Sequence, residues 1–258
     1  MSRSIGRFVL TALLVVAAVP AAVADQSMNK EQRAKAAQVN AQLALTYMKQ
    51  GNLQAAREKI DKALSQDART ADTQMIAGFV YDRLGEDRKA EDHFERAVKY
   101  AKDNPDVLNN AATYMCRKGS KKRGEGYFLQ AAASPFYRTP EIAYTNAGRC
   151  ARADGRPGDA EGYFRQALAI RPNLPDAMLP LADLYHETGN EMQARAFLQR
   201  YNDVAPATAS SLWLGYRIET ALGEHAAAAE YSRRIKAEFA TSTEMGLLLD
   251  AERTAQRP

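Results

Sequence analysis

The chain has 258 residues and a formal net charge of +4, from 35 lysines and arginines against 31 acids. That balance argues against a nucleic-acid partner, and the length allows one or two ordinary domains unless repeats intervene. At the N-terminus, Arg3 and Arg7 precede an apolar run from Phe8 to Val19, followed by Pro20 and the small triplet Ala22-Val23-Ala24. This pattern predicts a secretory signal peptide over residues 1–24 and a mature chain starting at Asp25 in the periplasm, with an uncleaved anchor as the alternative. The run is too short for a comfortable membrane span. No cysteine follows it before Cys116, so the acylation point of a bacterial lipoprotein is not seen. Residues 25–36 read as a leader and the start of the first helix, which is expected near Gln32.

From residue 37 onward the sequence repeats. Glycines stand at Gly51, Gly85, Gly119, Gly155, Gly189 and Gly223, at intervals of 34 residues except for one of 36. Five residues after each comes a small residue: Ala56, Ala90, Gly124, Ala160, Ala194 and Ala228. Four further on stand Ile60, Phe94, Phe128, Phe164, Leu198 and Ser232, so that only the sixth unit lacks a large apolar residue there. A glycine ending one helix in a left-handed conformation, then a small and a large apolar residue on one face of the next helix, describes a helix-turn-helix unit. Pro172 and Pro206 fall at the turns between units, where proline breaks no helical hydrogen bond. The predicted units are 37–70, 71–104, 105–140, 141–174, 175–208 and 209–242. Residues 243–258 carry Met245, Leu247, Leu248 and Leu249 and are expected to form a capping helix and tail.

This unit resembles the tetratricopeptide repeat, which implies an all-α, right-handed superhelix of six helix-turn-helix repeats. In that family the first helices line a concave groove at positions 2, 5, 9, 12 and 13 of each unit. The resemblance therefore places Ala41, Leu45, Met48, Met75 and Phe79 in an apolar section suited to an inserted peptide or helix. It places Asn109, Thr113, Cys116, Thr145, Arg149 and Arg152 in the next section, and Asp176, Asp183, His186 and Glu187 in an acidic one. Asn110 and Asn146 share position 6 and could hold a peptide backbone or serve only local bonds.

Reactive groups do not converge in the sequence. His93, His186 and His225 fall in different units at different positions, without metal-ligand spacing, and no Gly-rich phosphate loop or G-x-S-x-G occurs. The reading is a non-enzymatic binding protein without cofactor, metal or small-molecule substrate. Cys116 and Cys150 lie on first helices of adjacent units, so in an oxidising compartment a disulfide is expected, with two buried thiols as the alternative.

Four motifs carry a narrower likeness: "VLNNAATYMC" at 107–116, "SPFYRTPEIAYTNAGRC" at 134–150, "LPLADLYHETGN" at 179–190 and "SLWLGYRIETALGEHAAAAEY" at 211–231. They resemble the PilF/PilW family of type IV pilus biogenesis and stability proteins over residues 32 to about 250. The resemblance implies a pilotin-like protein facing the periplasm at the outer membrane, whose partner is the pilus secretin and which assists its localisation, multimerisation or stability. It also implies a partner groove in the first units, where the apolar section lies. Members of that family resemble lipoproteins; this chain lacks the cysteine, so its membrane association would be peripheral, through the partner. A general periplasmic scaffold in cell-envelope assembly is the alternative.

Overall fold

The first described turn begins at Asn29, whose side chain accepts from the Gln32 amide at 2.9 Å while the Gln32 side chain accepts from the Asn29 amide at 2.9 Å. This reciprocal box satisfies two amides that no helical carbonyl can reach, and it starts α1 (Lys30–Lys49) slightly earlier than the expected Gln32. The computed structural model describes residues 28–255; residues 1–27, and with them the expected signal peptide, lie outside the described residues. Beyond α1 come α2 (Leu53–Gln66), α3 (Ala71–Arg83), α4 (Asp87–Tyr100), α5 (Pro105–Lys118), α6 (Lys121–Ala132) and α7 (Pro140–Ala153). They are followed by α8 (Pro157–Ile170), α9 (Pro175–Glu187), α10 (Glu191–Val204), α11 (Ala209–Ala221), α12 (His225–Glu238) and α13 (Thr243–Ala255). No strand occurs among the described residues.

The six spaced glycines all have positive φ, from 72° at Gly155 to 107° at Gly119. Each closes a first helix where a side chain would be strained. At Gly85 the motif is complete: the Gly85 amide reaches the Asp82 carbonyl at 3.0 Å and the Glu86 amide reaches Tyr81 at 2.9 Å. Two carbonyls that the helix leaves open are thereby paired within one tight turn.

Within a unit the two helices meet through a small residue and a ring. Phe94 and Phe164 are fully buried, and each lies flush on a glycine of its own unit's first helix. A Cβ at Gly78 would stand 2.9 Å from the Phe94 ring, and one at Gly148 would stand 2.7 Å from Phe164. Burial of such a ring stabilises by about 1.5–3 kcal/mol. The sixth unit keeps the device with a one-residue shift. Tyr231, just before Ser232, packs its ring on Gly215. The unit therefore does have a large residue in that place, though not at the aligned position.

Second helices pack on the first helix of the following unit, and first helices also touch their counterparts in the next unit. The first helices α1, α3, α5, α7, α9 and α11 consequently form the inner wall of a solenoid. At its C-terminal end α13 rests on α11 and α12, with Leu248 buried beside Leu212 and Ile235. The longer third unit ends in an irregular connection, residues 133–139, where other units use a four-residue turn such as 101–104. Tyr137 packs on the core there, while Phe136 is 86% exposed. Just beyond, Cys150 on α7 is joined to Cys116 on α5 by a disulfide, with the two Cα atoms 5.6 Å apart. A Cβ at Gly124 would stand 2.7 Å from the Cys116 sulfur, so α6 must approach α5 closely beside the bridge.

Candidate functional site

Among the described residues, recesses open on the inner wall in three places. The first lies between α1 and α3, has a volume of about 310 Å³ and is bordered by Gln38, Gln42, Thr73 and Ile76, with Ala41 on its floor. Ala41 is 2% exposed and Met75 7% exposed, and Leu45, Met48 and Phe79 are half-buried against the core. Phe79 stands edge-on to Phe94, with ring centres 5.2 Å apart. The surface expected to be an apolar groove is therefore committed in large part to packing. Gln74, buried at position 4 of the second unit, shows how polar groups are used here: His93 Nδ1 lies 2.6 Å from its Oε1, and the His93 ring stacks on Tyr81. Burial pushes the His93 pKa below the usual range for histidine.

The middle recess, also about 310 Å³, is lined by Thr113, Cys116, Phe128, Asn146, Arg149 and Cys150. The disulfide thus forms part of its floor. Asn146 donates to Asn109 Oδ1 at 3.2 Å across the two first helices, while Asn110 is exposed. Thr145 is buried and donates to the Glu141 carbonyl at 2.7 Å.

A third recess, about 680 Å³, runs across α7, α9, α11 and α13. Leu179, Trp213, Leu214 and Leu247 supply its apolar surface, and the charged border is Arg149, Arg152, Arg217, Asp183, Glu187 and Glu244. Arg152 Nε donates to Glu187 at 2.9 Å and its Nη2 reaches Asp183 at 2.5 Å. Burial works against the Arg152 charge, but the two carboxylates outweigh it and hold the guanidinium pKa above its ordinary value. Trp213 stacks on Tyr216 with ring centres 5.4 Å apart, which fixes the indole plane.

The backbone of α9 is unusual at the centre of this recess. Pro180 lies inside the helix and has no amide to give to the Asp176 carbonyl four residues earlier. Arg149 Nη2 from α7 donates to that carbonyl at 3.0 Å. One side chain thus pairs a group that the proline leaves open and ties two units together.

Arg149, Arg152, Asp183 and Glu187, expected in the groove, do line this recess. His186 does not; its Nδ1 faces Glu191 at 2.8 Å, at the start of α10. Leu179, Trp213 and Arg217 were not singled out from the sequence, although they occupy positions 5, 5 and 9 of the fifth and sixth units. Extending the same phase to those units finds them. No cluster of three or more histidines, cysteines or acids that could hold a metal occurs among the described residues.

Tetratricopeptide-repeat family models match residues 41–107 and 117–175, and a second such model matches 151–213. The type IV pilus assembly protein PilF of Pseudomonas aeruginosa is 26% identical over 203 residues, which cover 79% of this chain and 81% of PilF. The crystal structure of PilW, described as a widely conserved type IV pilus biogenesis factor, superposes with a TM-score of 0.73 at 31% identity, covering 83% of this chain and 98% of PilW. The chain belongs to the PilF/PilW family of tetratricopeptide-repeat proteins. The solved structure of P. aeruginosa PilF agrees, with a TM-score of 0.69, 25% identity, and coverage of 85% of this chain and 99% of PilF. On this PilF/PilW chain the first three quoted motifs fall on α5, on the connection into α7, and on α9 with its closing turn.

Proposed function

We propose that this protein is a non-catalytic, periplasmic, pilotin-like factor of type IV pilus biogenesis that helps the outer-membrane secretin to localise, multimerise or remain stable. The observation that carries the reading is the likeness to PilF and PilW, whose solved structures are covered to 99% and 98%. A disulfide between first helices suits an oxidising compartment. The inner wall supplies the binding surface: an extended or helical segment of the secretin lies along it, with apolar side chains on Leu179 and Trp213 and polar ones against the arginines. The first recess, with Ala41 on its floor, continues the same surface toward the N-terminus, where Leu45, Met48 and Phe79 are half-buried and Met75 is buried. Membrane association is peripheral, through the partner.

The test is the amount of heat-resistant secretin multimer in outer membranes of cells that lack the protein, complemented with the native chain, with Trp213→Ala or with Leu45→Asp. Circular dichroism accompanies each variant, because Leu45 also packs on the core. Loss on deletion, rescue by the native chain and failure of a folded Trp213→Ala chain support the reading. Multimers that persist unchanged in every strain overturn it and favour a general scaffold of cell-envelope assembly.

A further inference from the structure

The two ends of the solenoid are finished differently. Helix α13 covers the last unit, but among the described residues nothing covers the outer side of α1. The repeat makes this visible position by position, counting the first residue of each unit as 1. Position 3 is Thr73, Val107, Ala143, Ala177 or Ser211 in the later units, and position 7 is Ala77, Ala111, Ala147 or Leu181 in units two to five. Each of these is at most 6% exposed. Their counterparts in the first unit, Val39 and Leu43, are 59% and 38% exposed.

This stripe is the one that meets the preceding second helix. At position 10, Tyr114 donates to the Asp87 carbonyl of α4 at 2.8 Å, and the bridged Cys150 sulfur lies 3.4 Å from the Lys121 carbonyl of α6. At position 11 of the second, fifth and sixth units the side chain meets a charged group. Tyr81 bonds to Asp61 of α2, Tyr185 donates to Glu161 of α8 at 2.6 Å, and Glu219 accepts from Arg195 of α10 at 3.0 Å. Tyr47 holds position 11 in the first unit, half-buried, and its hydroxyl has no hydrogen bond among the described residues. Helix α1 also carries four bases, Lys30, Arg33, Lys35 and Lys49, against the single acid Glu31, which pairs with Lys35 at 2.7 Å and leaves the other three in excess.

We propose that the outer face of α1, centred on Val39, Leu43 and Tyr47, binds an amphipathic helix of another protein that carries carboxylates beside its apolar stripe. The helix sits where the second helix of a preceding unit would lie. Its apolar residues cover Val39 and Leu43, and one carboxylate accepts from the Tyr47 hydroxyl as Glu161 does from Tyr185. The excess bases of α1 select an acidic helix over a basic one. This face points away from the inner wall, so the inference stands independently of the secretin reading.

The experiment uses the protein purified from cells that make it and three labelled helical peptides about 18 residues long, long enough to hold a helix. They share one leucine face and carry Glu, Gln or Lys on its flanks. Fluorescence anisotropy is expected to show the Glu peptide binding best, weakened about tenfold or more by Val39→Glu with Leu43→Glu and by high salt. Tyr47→Phe is expected to weaken the Glu peptide alone. Both glutamates replace exposed side chains, and circular dichroism checks the fold. Equal binding of the Glu and Lys peptides, or of native and variant protein, overturns the proposal. It is also overturned if Val39→Glu abolishes binding to phosphatidylglycerol vesicles but not to the peptide, or dissociates a homodimer in sedimentation. A photo-cross-link from position 39 to residues 8–24 of the same chain would show that the chain covers its own face, and the proposal would fall.

Discussion

Gly148 and Gly126 both lie within helices, yet alanine should act on them in opposite directions. A Cβ at Gly148 would press on the buried Phe164 ring, whereas one at Gly126 meets nothing within 4 Å. Gly148→Ala is expected to destabilise by about 1–3 kcal/mol, through overpacking. Gly126→Ala is expected to stabilise by about 0.5–1 kcal/mol, because only chain entropy changes. Urea unfolding measures both, and equal effects at the two sites would contradict the packing account. Glu125 gives a pH-dependent case. Burial pushes its carboxyl up, but bonds from Arg156 and Tyr163 outweigh this and hold it below the usual carboxylate range. A depressed native pKa stabilises the fold above the unfolded value of about 4.3, and that contribution is lost as pH falls through the native pKa. Glu125→Gln should therefore cost about 1–3 kcal/mol at neutral pH and flatten the fall in stability below about pH 4.3. An unchanged acid limb in the variant would remove Glu125 from the explanation.

Single elements are held by devices that span two units. In α9 the proline leaves the Asp176 carbonyl open and Arg149 of α7 pairs it. Arg149→Ala is expected to cost about 1–2 kcal/mol in native protein but clearly less in a Pro180→Ala background, where the helix recovers its own amide. A double-mutant cycle in thermal unfolding reads the coupling, and additive losses would mean that the arginine acts elsewhere. The Cys116–Cys150 bridge closes a loop with a sequence separation of 34 and joins α5 to α7 next to the irregular connection. Replacing both cysteines by alanine is expected to lower stability by about 2–4 kcal/mol, with the loss removed when both proteins are compared under reducing conditions.

At the scale of the whole molecule, each unit touches only its neighbours, so damage should stay local. Leu248 of α13 is fully buried against α11 and α12. Leu248→Ala is expected to cost about 2–5 kcal/mol. Hydrogen exchange should then quicken in α11 to α13 while α3 to α6 keep their protection. Uniform loss of protection would show one cooperative body instead of a one-dimensional array. The uncovered face of α1 follows from the same logic, since a solenoid buries an end face only when something is added to it.

The spacing of six glycines, with small and apolar residues at fixed offsets, was enough to determine the helix pairs and their order, because helix ends and helix faces are set by local geometry. The cysteine pairing could be weighed from sequence because both residues fall on neighbouring first helices. Tertiary structure alone decided what each inner-wall residue is used for. Met75 and Trp213 share groove position 5, yet the first is spent on the core and the second lines open space. Repeat phase fixes the angle at which a side chain leaves its helix, whereas exposure depends on how closely the next helix approaches. That distance is set by residues far away in sequence, as when Tyr231 takes the place aligned with Ser232 or Arg149 pairs the carbonyl that Pro180 leaves open.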